Sequence, residues 1–261
     1  MELFLYHGQT STCSSKVRIV LAEKGLDWTG TILDLHRGDQ FDPAYRALNP
    51  NAVVPTLMVD GAPVIESGLI LQLADEIGSG PSLTPTDPVA RARMRLWLKR
   101  IDDELHPAVS TLSFALQMRR GWLQRPLADL VAAMARLPSA AARARRREAA
   151  LDGIASESGR AALATAQRFI VDLDAALGAD RSGVGGTPTL ADFAPLSYLH
   201  RLQLLGLAWL WEDRPRVEEW YGRMAARPSV QAGLFDWMRE ADLARYAGLE
   251  TEGAAARALL A

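Results

Sequence analysis

The first eighty residues alternate between short apolar segments and helical patterns. Leu3 to Tyr6 is a short apolar segment typical of a strand, and residues 13–24 place apolar side chains at helical spacing. Residues 28–33 alternate as a second strand. Because the helical pattern stops at Gly25, between the two strands, this part of the chain predicts a βαβ unit.

A second group of elements begins with a short helix near residues 43–48. Residues 56–59 and 63–65 are apolar and flank Asp60-Gly61, a dipeptide typical of a tight β-hairpin. A helical pattern over residues 66–77 follows. These elements predict a ββα unit, and the two units together predict one mixed sheet packed against helices.

The chain changes character at residues 78–88, which are dense in Gly, Ser, Pro and Thr and are therefore the predicted linker. Almost every later pattern is helical. The predicted helical stretches are 89–120 with an interruption at His106-Pro107, 121–160 with breaks at Pro126 and Pro138 and a loop near 155–159, 161–177 followed by a break at 183–188, and 216–226. The expected fold class is α+β, with a βαβ-ββα domain over residues 1–79 and an all-α helical-bundle domain over residues 88–261.

Thr189 to Asp192 carries the clearest signal for the start of a helix. The Thr189 side chain can cap the helix while the Asp192 carboxylate reaches back to the cap, and an apolar run follows. We interpret the motif as the start of a buried core helix that contacts no substrate.

Composition and charge narrow the possible functions. The 261 residues have a formal net charge of −2, which argues against nucleic-acid binding, and we interpret the Arg-rich run at 143–147 as a solvated helix face. Cys13 is the only cysteine, so an intramolecular disulfide and a cysteine zinc site are excluded. No apolar run reaches membrane-spanning length and no basic segment opens the chain, so we expect a cytoplasmic protein with no membrane insertion.

The segment from Asn49 to Leu57 is the strongest candidate for a binding site. Pro55 opens an apolar strand without donating to its ladder, and Val54-Pro55 is the bond type that tolerates the cis form. Such a turn exposes backbone groups that can hold a peptide. Glu66 and Ser67 stand where a helix begins, a position that suits a carboxylate ligand, and Glu66 can hold the ammonium of that ligand.

With these motifs in this order, the chain resembles the cytosolic glutathione transferase superfamily over essentially its whole length. The resemblance implies a thioredoxin-like first domain, glutathione as co-substrate and a homodimer. Residues 11–18 resemble the bacterial Ser-type transferases related to the theta and zeta groups. The extra helices between about 121 and 160 are similar to those of the β-aryl etherase branch, which cleaves aryl ethers with glutathione.

A site of this kind must promote ionisation of the glutathione thiol, because the thiolate is the nucleophile. A hydroxyl aimed at the sulfur and the N–H groups of a helix start can supply the stabilisation. Ser11 and Ser14 are equal candidates for the hydroxyl, with Tyr6 behind them. Cys13 is an alternative through a mixed disulfide with glutathione, although a Cys in a first turn often packs into the core.

The resemblance also implies the other contacts of glutathione. Val54, before Pro55, would pair its backbone with the cysteinyl unit, Glu66 and Ser67 would hold the γ-glutamyl ammonium and carboxylate, and Gln40, with Arg37 as a further candidate, would meet the glycyl carboxylate. Ala52-Val53 stands where Gly-Gln or Gly-Val is frequent in the family. One side-chain contact to glutathione is therefore expected to be lost.

A pocket for a second substrate is expected between the two domains. Its candidate lining residues are Trp97, Arg100, Asp103, His106, Phe114, Met118 and Tyr198, each of which has an ordinary place on a helix as well. The leading hypothesis is an enzyme whose glutathione thiolate attacks a small hydrophobic or aromatic electrophile, with aryl ether cleavage as the specific candidate. A non-catalytic glutathione-binding protein and a Cys13-dependent oxidoreductase remain alternatives.

Overall fold

A computed structural model describes residues 1–135, 140–178 and 187–260. The chain divides into two compact units, one taking its residues from 1–99, 176–197 and 219–242 and the other from 100–175, 198–218 and 243–261. The predicted domain boundary between residues 79 and 88 stays a prediction. The predicted break at Pro138 and most of the break at 183–188 lie outside the described residues.

The first unit contains a four-stranded mixed sheet. Its strands are β1 Leu3–His7, β2 Thr29–Ile32, β3 Thr56–Val59 and β4 Ala62–Val64, in the order β2-β1-β3-β4. β1 runs parallel to β2 and antiparallel to β3, where Leu5 lies opposite Leu57, and both leucines are fully buried. The predicted βαβ-ββα order is confirmed, with the core of the unit on the central strands.

The remaining regular structure is helical. The helices are α1 Thr12–Glu23, α2 Pro43–Leu48, α3 Ser67–Ile77, α4 Pro88–Arg100, α5 His106–Ser113, α6 Arg119–Trp122, α7 Leu127–Ala135, α8 Ala140–Asp152, α9 Glu157–Gly178, α10 Leu190–Phe193, α11 Leu196–Leu204, α12 Pro215–Ala225, α13 Pro228–Gly233, α14 Glu240–Leu243 and α15 Leu249–Ala255. Helix α9 begins at Glu157, so the loop expected near 155–159 is shorter than predicted. Within the described ranges each helix is too short or too polar to cross a bilayer.

The predicted hairpin at Asp60-Gly61 is confirmed. β3 and β4 pair in antiparallel fashion, with Val59 opposite Ala62. Asp60 and Gly61 both have positive φ values, 47° and 84°, which a tight two-residue hairpin turn requires. This turn reverses the chain from β3 into β4, and β4 leads to Glu66 and α3, where the candidate ligand groups lie.

The capping box at Thr189 is also confirmed. The Thr189 N–H donates to Asp192 Oδ2 at 2.8 Å, and the Ala191 N–H donates to Thr189 Oγ1 at 3.3 Å. Asp192 is buried and accepts a further hydrogen bond from Trp220 Nε1 at 3.1 Å. The carboxylate therefore joins the start of α10 to α12.

The predicted linker is fastened to the first unit by a buried ion pair. Lys24 Nζ lies 3.0 Å from Asp75 Oδ1 and donates to the Pro81 carbonyl at 2.8 Å. The Leu83 N–H donates to the same carboxylate oxygen at 2.8 Å. Because the pair is buried and fully hydrogen-bonded, it fixes the segment that follows α3.

The long helical stretch of the second unit departs from the prediction in two ways. Residues 101–105 and 114–118 form π-helical turns on either side of α5, so the irregularity begins before His106-Pro107. The Arg-rich run is not wholly a solvated face, because Arg146 packs its guanidinium 4.0 Å from the centre of the Phe114 ring. Arg146 and Phe114 are far apart in the sequence, so the charge pattern around Arg146 cannot predict their contact.

Candidate functional site

The start of α1 carries the first part of the candidate site. Ser11 is the N-cap residue, with extended backbone angles, and its Oγ accepts the Ser14 N–H at 3.3 Å. Ser11 is half-buried. Its hydroxyl proton has no acceptor within the described chain, so it can be donated to a ligand that approaches the helix start.

Ser14 is placed differently from Ser11. Its side chain is fully buried, and its Oγ accepts the Gly8 N–H at 3.0 Å. This bond ties the turn after β1 to the first turn of α1. Ser14 thus has a structural task that Ser11 does not have, and a ligand at the surface cannot reach its hydroxyl without local movement.

The two other candidates for the sulfur contact are Tyr6 and Cys13. Tyr6 lies in β1, half-buried, with its ring 5.5 Å from that of Tyr45. Cys13 lies in the first turn of α1 and is partly exposed, so the expected packing of its thiol into the core is incomplete.

The turn before β3 is the second part of the site. The Val54-Pro55 peptide bond is cis, as predicted. Tyr45 Oη donates to the Val53 carbonyl at 2.5 Å, and Asn49 Nδ2 donates to the same oxygen at 2.9 Å. Sequence reasoning missed both anchoring residues, although Tyr45 and Asn49 lie only eight and four residues before Val53 and are natural partners for a carbonyl of a rigid turn.

Val54 keeps its backbone groups available. In the part of the chain that the structure describes, neither its N–H nor its C=O forms a hydrogen bond. A buried or half-buried peptide group without a partner carries a desolvation penalty that a bound peptide can remove. Val54 is therefore well suited to pair with the backbone of a ligand.

Gly8 brings the two parts together. A Cβ atom at Gly8 would lie 3.0 Å from Cβ of Ser11 and 3.3 Å from Cγ2 of Val54. A side chain at this position would crowd both neighbours, so glycine favours the close approach of the helix start and the cis turn. Ser11 and Val54 thus lie on either side of Gly8.

The third part of the site is the start of α3. Glu66 precedes the helix with φ 69° and ψ 107°, a backbone conformation that is strained for a residue other than glycine. Its exposed carboxylate accepts a hydrogen bond from Asn51 Nδ2 at 3.1 Å. The Ser67 hydroxyl has no hydrogen-bond partner within residues 1–135, 140–178 and 187–260, and it lies at the N-terminus of an eleven-residue helix.

Gln40 and Arg37 lie on the loop between β2 and α2. Gln40 is half-buried in a short 3₁₀ turn, and its Oε1 is buried without a hydrogen-bond partner among the described residues. Arg37 is exposed. An unpartnered amide is consistent with a ligand group at this loop, and the role of both residues stays a prediction.

The predicted pocket residues fall into separate places. Trp97 belongs to the first unit and the other six to the second. Within the second unit, His106 Nδ1 lies 3.4 Å from Tyr198 Oη, while Arg100 is engaged with Asp172 at 2.7 Å. Asp103 is exposed and Met118 is half-buried. Phe114 and Tyr198 are both buried. Their lining of a substrate pocket stays a prediction.

Sequence reasoning also missed Arg18 and His7, which lie buried beneath the turn at Gly8. Burial, together with the neighbouring Arg18 guanidinium, lowers the pKa of His7 to about 4. The available signal was Arg18 as the one charged residue within Val17 to Leu21, an otherwise apolar stretch. A basic residue on the inward face of a buried helix is rare enough to require an explanation.

Comparisons with known proteins match the part of the chain that contains the candidate site. Residues 10–77 match the family model described as glutathione S-transferase, N-terminal domain. Maleylacetoacetate isomerase from Pseudomonas aeruginosa is 38% identical over 125 residues, which are 47% of this chain and 57% of that protein. Protein LigF from Sphingobium sp. is 35% identical over 121 residues, 46% of this chain and 47% of that protein. The matched segment spans about half the length of these relatives.

Solved structures extend the likeness to most of the chain. The crystal structure of the β-etherase LigF from Sphingobium sp. strain SYK-6 has a TM-score of 0.79 at 26% identity and covers 90% of this chain and 99% of its own. Ure2p in complex with glutathione has a TM-score of 0.68 at 21% identity, with 90% and 94% covered, and shows the fold alone. The chain therefore has the glutathione transferase fold, with a thioredoxin-like first domain.

Proposed function

Because the chain has the glutathione transferase fold, we propose that it is a glutathione-dependent enzyme in which glutathione is the co-substrate. One observation carries the proposal. The cis turn and the start of α1 meet at Gly8, where a Cβ would lie 3.0 Å from Ser11 Cβ and 3.3 Å from Val54 Cγ2, so a peptide paired with the free Val54 backbone would present its sulfur to the start of α1.

The chemistry follows from that arrangement. The Ser11 hydroxyl and the N–H groups of the first turn of α1 favour a thiolate over a thiol, and the thiol proton leaves to solvent. The thiolate then forms a C–S bond with an electrophilic carbon. In substitution a phenolate or halide leaves with the bonding electrons, and in addition to an activated alkene the neighbouring carbon takes the electrons and a proton from solvent. Glu66 and Ser67 hold the γ-glutamyl group, which keeps the sulfur from moving away.

The substrate that we propose is a hydrophobic, aromatic electrophile, and aryl ether cleavage is the specific reaction. Its support is the whole-chain likeness to the β-etherase LigF. A glutathione-dependent isomerisation is the second candidate, supported by the 38% identity with maleylacetoacetate isomerase over 125 residues. The Cys13 oxidoreductase and the non-catalytic binding protein are the remaining alternatives, and we also expect a homodimer.

Calorimetry with glutathione tests the binding step. We expect Glu66→Gln to weaken glutathione binding by about tenfold or more, the scale of a lost hydrogen bond to a charged group. Glu76→Gln is the matched control, since Glu76 is exposed near the other end of the same helix. Cysteinylglycine lacks the γ-glutamyl group and should bind both variants and the wild type equally weakly. The absence of any heat with millimolar glutathione would refute the proposal.

Turnover tests the reaction class. A β-aryl ether, maleylacetoacetate, chlorodinitrobenzene, an alkyl halide and dehydroascorbate are incubated with glutathione and enzyme, and products are measured. Consumption of the aryl ether supports the first candidate, and isomerisation of maleylacetoacetate supports the second. Dehydroascorbate reduction that disappears in Cys13→Ala would support the oxidoreductase, and tight binding without any turnover would support the binding protein.

A further inference from the structure

Arg18 is a buried cation held by neutral groups. Its side chain is about 1% exposed. The guanidinium donates to the Gly233 carbonyl at 3.0 Å, the Gly8 carbonyl at 3.2 Å, the Gln9 carbonyl at 3.3 Å and Ser15 Oγ at 2.9 Å, and lies 3.1 Å from His7 Nδ1. It also lies 4.5 Å from the centre of the Trp237 ring.

No carboxylate contacts Arg18 within the described ranges. The elements packed against it are β1, its own helix, and the segment from Gly233 to Trp237, where Asp236 is exposed and makes no contact with the guanidinium. The titratable group that faces it is His7, which is neutral at pH 7 because its pKa is lowered. Burial lowers the pKa of Arg18 to about 9, so the guanidinium still carries its charge at neutral pH.

The position of this charge connects it with the candidate site. The Gly8 carbonyl accepts one hydrogen bond from Arg18 Nη1 and a second from the Ser11 N–H at 3.4 Å. The guanidinium therefore lies one peptide group beneath the N-cap residue of α1. The neighbouring Gly233 approaches so closely that a Cβ there would lie 2.4 Å from the Ile19 N, so the backbones of α13 and α1 pack in direct contact beside Arg18.

We propose that Arg18 acts through its charge as a positioning and electrostatic residue that stabilises the glutathione thiolate at the start of α1. The inference rests on the proposed function. A buried charge without a counter-ion is costly to keep, and in a poorly hydrated interior its field is screened much less than at the surface. A thiolate bound beside Ser11 would be the missing counter-charge, and the thiol proton is released to solvent.

Neutral variants separate charge from hydrogen bonding. Arg18→Gln keeps an N–H donor near the position of Arg18 Nε, which bonds the Gly233 carbonyl, but loses the charge and the Nη groups, whereas Arg18→Met loses every donor as well as the charge. Arg223→Gln removes a charge from an exposed site on α12 and is the matched control. The pKa of bound glutathione is measured by ultraviolet thiolate absorbance and by the pH profile of kcat/KM.

We expect Arg18→Gln and Arg18→Met each to raise the pKa of bound glutathione by about one unit, which is the scale of the effect of one nearby charge. Arg223→Gln should leave this pKa unchanged. Glutathione affinity well below that pKa should change by less than about threefold, since the thiol form does not need the charge. If Arg18→Met does not fold, Arg18→Gln decides the question alone.

Two results would overturn the inference. Folded Arg18→Gln with the wild-type thiol pKa would mean that the charge does not stabilise the thiolate. A shift of the same size in Arg223→Gln would point to net charge in general. Failure of the wild type to bind glutathione is a separate outcome, because it removes the proposed function rather than the role of Arg18 within it.

Discussion

Substitution of the two serines at the start of α1 distinguishes a group that contacts the sulfur from one that holds the fold. Ser11 is half-buried and its hydroxyl proton is available, whereas Ser14 is buried and accepts the Gly8 N–H. We expect Ser11 to contact the sulfur. The informative variants are Ser11→Gly and Ser14→Ala.

The magnitudes follow from the contacts that each variant removes. A hydrogen bond to a charged group contributes about 1.5–3 kcal/mol, which corresponds to a rise of about one to two units in the pKa of bound glutathione in Ser11→Gly. Glycine is nearly as good an N-cap as serine, so the loss of stability should be only a few tenths of a kcal/mol. Ser14→Ala leaves the Gly8 N–H buried and unpaired, which costs about 1–3 kcal/mol of stability, with little change in the thiol pKa.

Two measurements on each variant check this expectation. Ultraviolet titration of bound glutathione gives the thiol pKa, and urea denaturation gives the free energy of unfolding. Ser11→Gly should also reduce kcat/KM for chlorodinitrobenzene at pH 7 by about tenfold to a hundredfold, since the thiolate fraction falls. The assignment of Ser11 would be wrong if Ser14→Ala raised the thiol pKa and Ser11→Gly did not.

Three further changes test the framework around the site. Asp192→Ala should lower the free energy of unfolding by about 3 kcal/mol or more, because it removes the helix cap and leaves the buried Trp220 N–H unpaired, and urea denaturation measures it. His7 has a pKa lowered from 6.5 to about 4, so the unfolded chain binds more protons between these values and stability should fall by about 2 kcal/mol as pH drops from 6.5 to 4. That slope should be flatter in His7→Gln. Glu66→Gly should relieve the positive φ and raise stability by about 1 kcal/mol while weakening glutathione binding, and unchanged binding would contradict the role of the carboxylate.

The sequence predicts those parts of the fold that depend on neighbouring residues. The Asp60-Gly61 hairpin, the Thr189 capping box and the Val54-Pro55 bond were all predictable, because each is determined by a few adjacent side chains and backbone angles. The βαβ-ββα order of elements along the chain and the single mixed sheet followed from the same local patterns.

Long-range contacts explain what the sequence did not predict. Arg18 donates to the Gly233 carbonyl, which lies 215 positions away in the chain, and Arg146 covers the ring of Phe114. In both cases an arginine is bound by groups that come close only after folding. The local charge pattern predicts that such an arginine lies on a solvated face. In the folded chain, distant elements cover it instead.

The features that violate ordinary rules of folding lie together in the first unit. Glu66 has a positive φ, the Val54 backbone lacks a partner within the described chain, and Arg18 is a buried cation without a carboxylate. Each feature lowers stability by itself, and each suits a different part of one ligand: the strained backbone fixes the Glu66 carboxylate for an ammonium, Val54 can pair with a peptide backbone, and Arg18 can face an anionic sulfur. A chain selected for stability alone would not retain three separate costs, so their agreement with one tripeptide thiolate is a stronger argument for glutathione than any one contact.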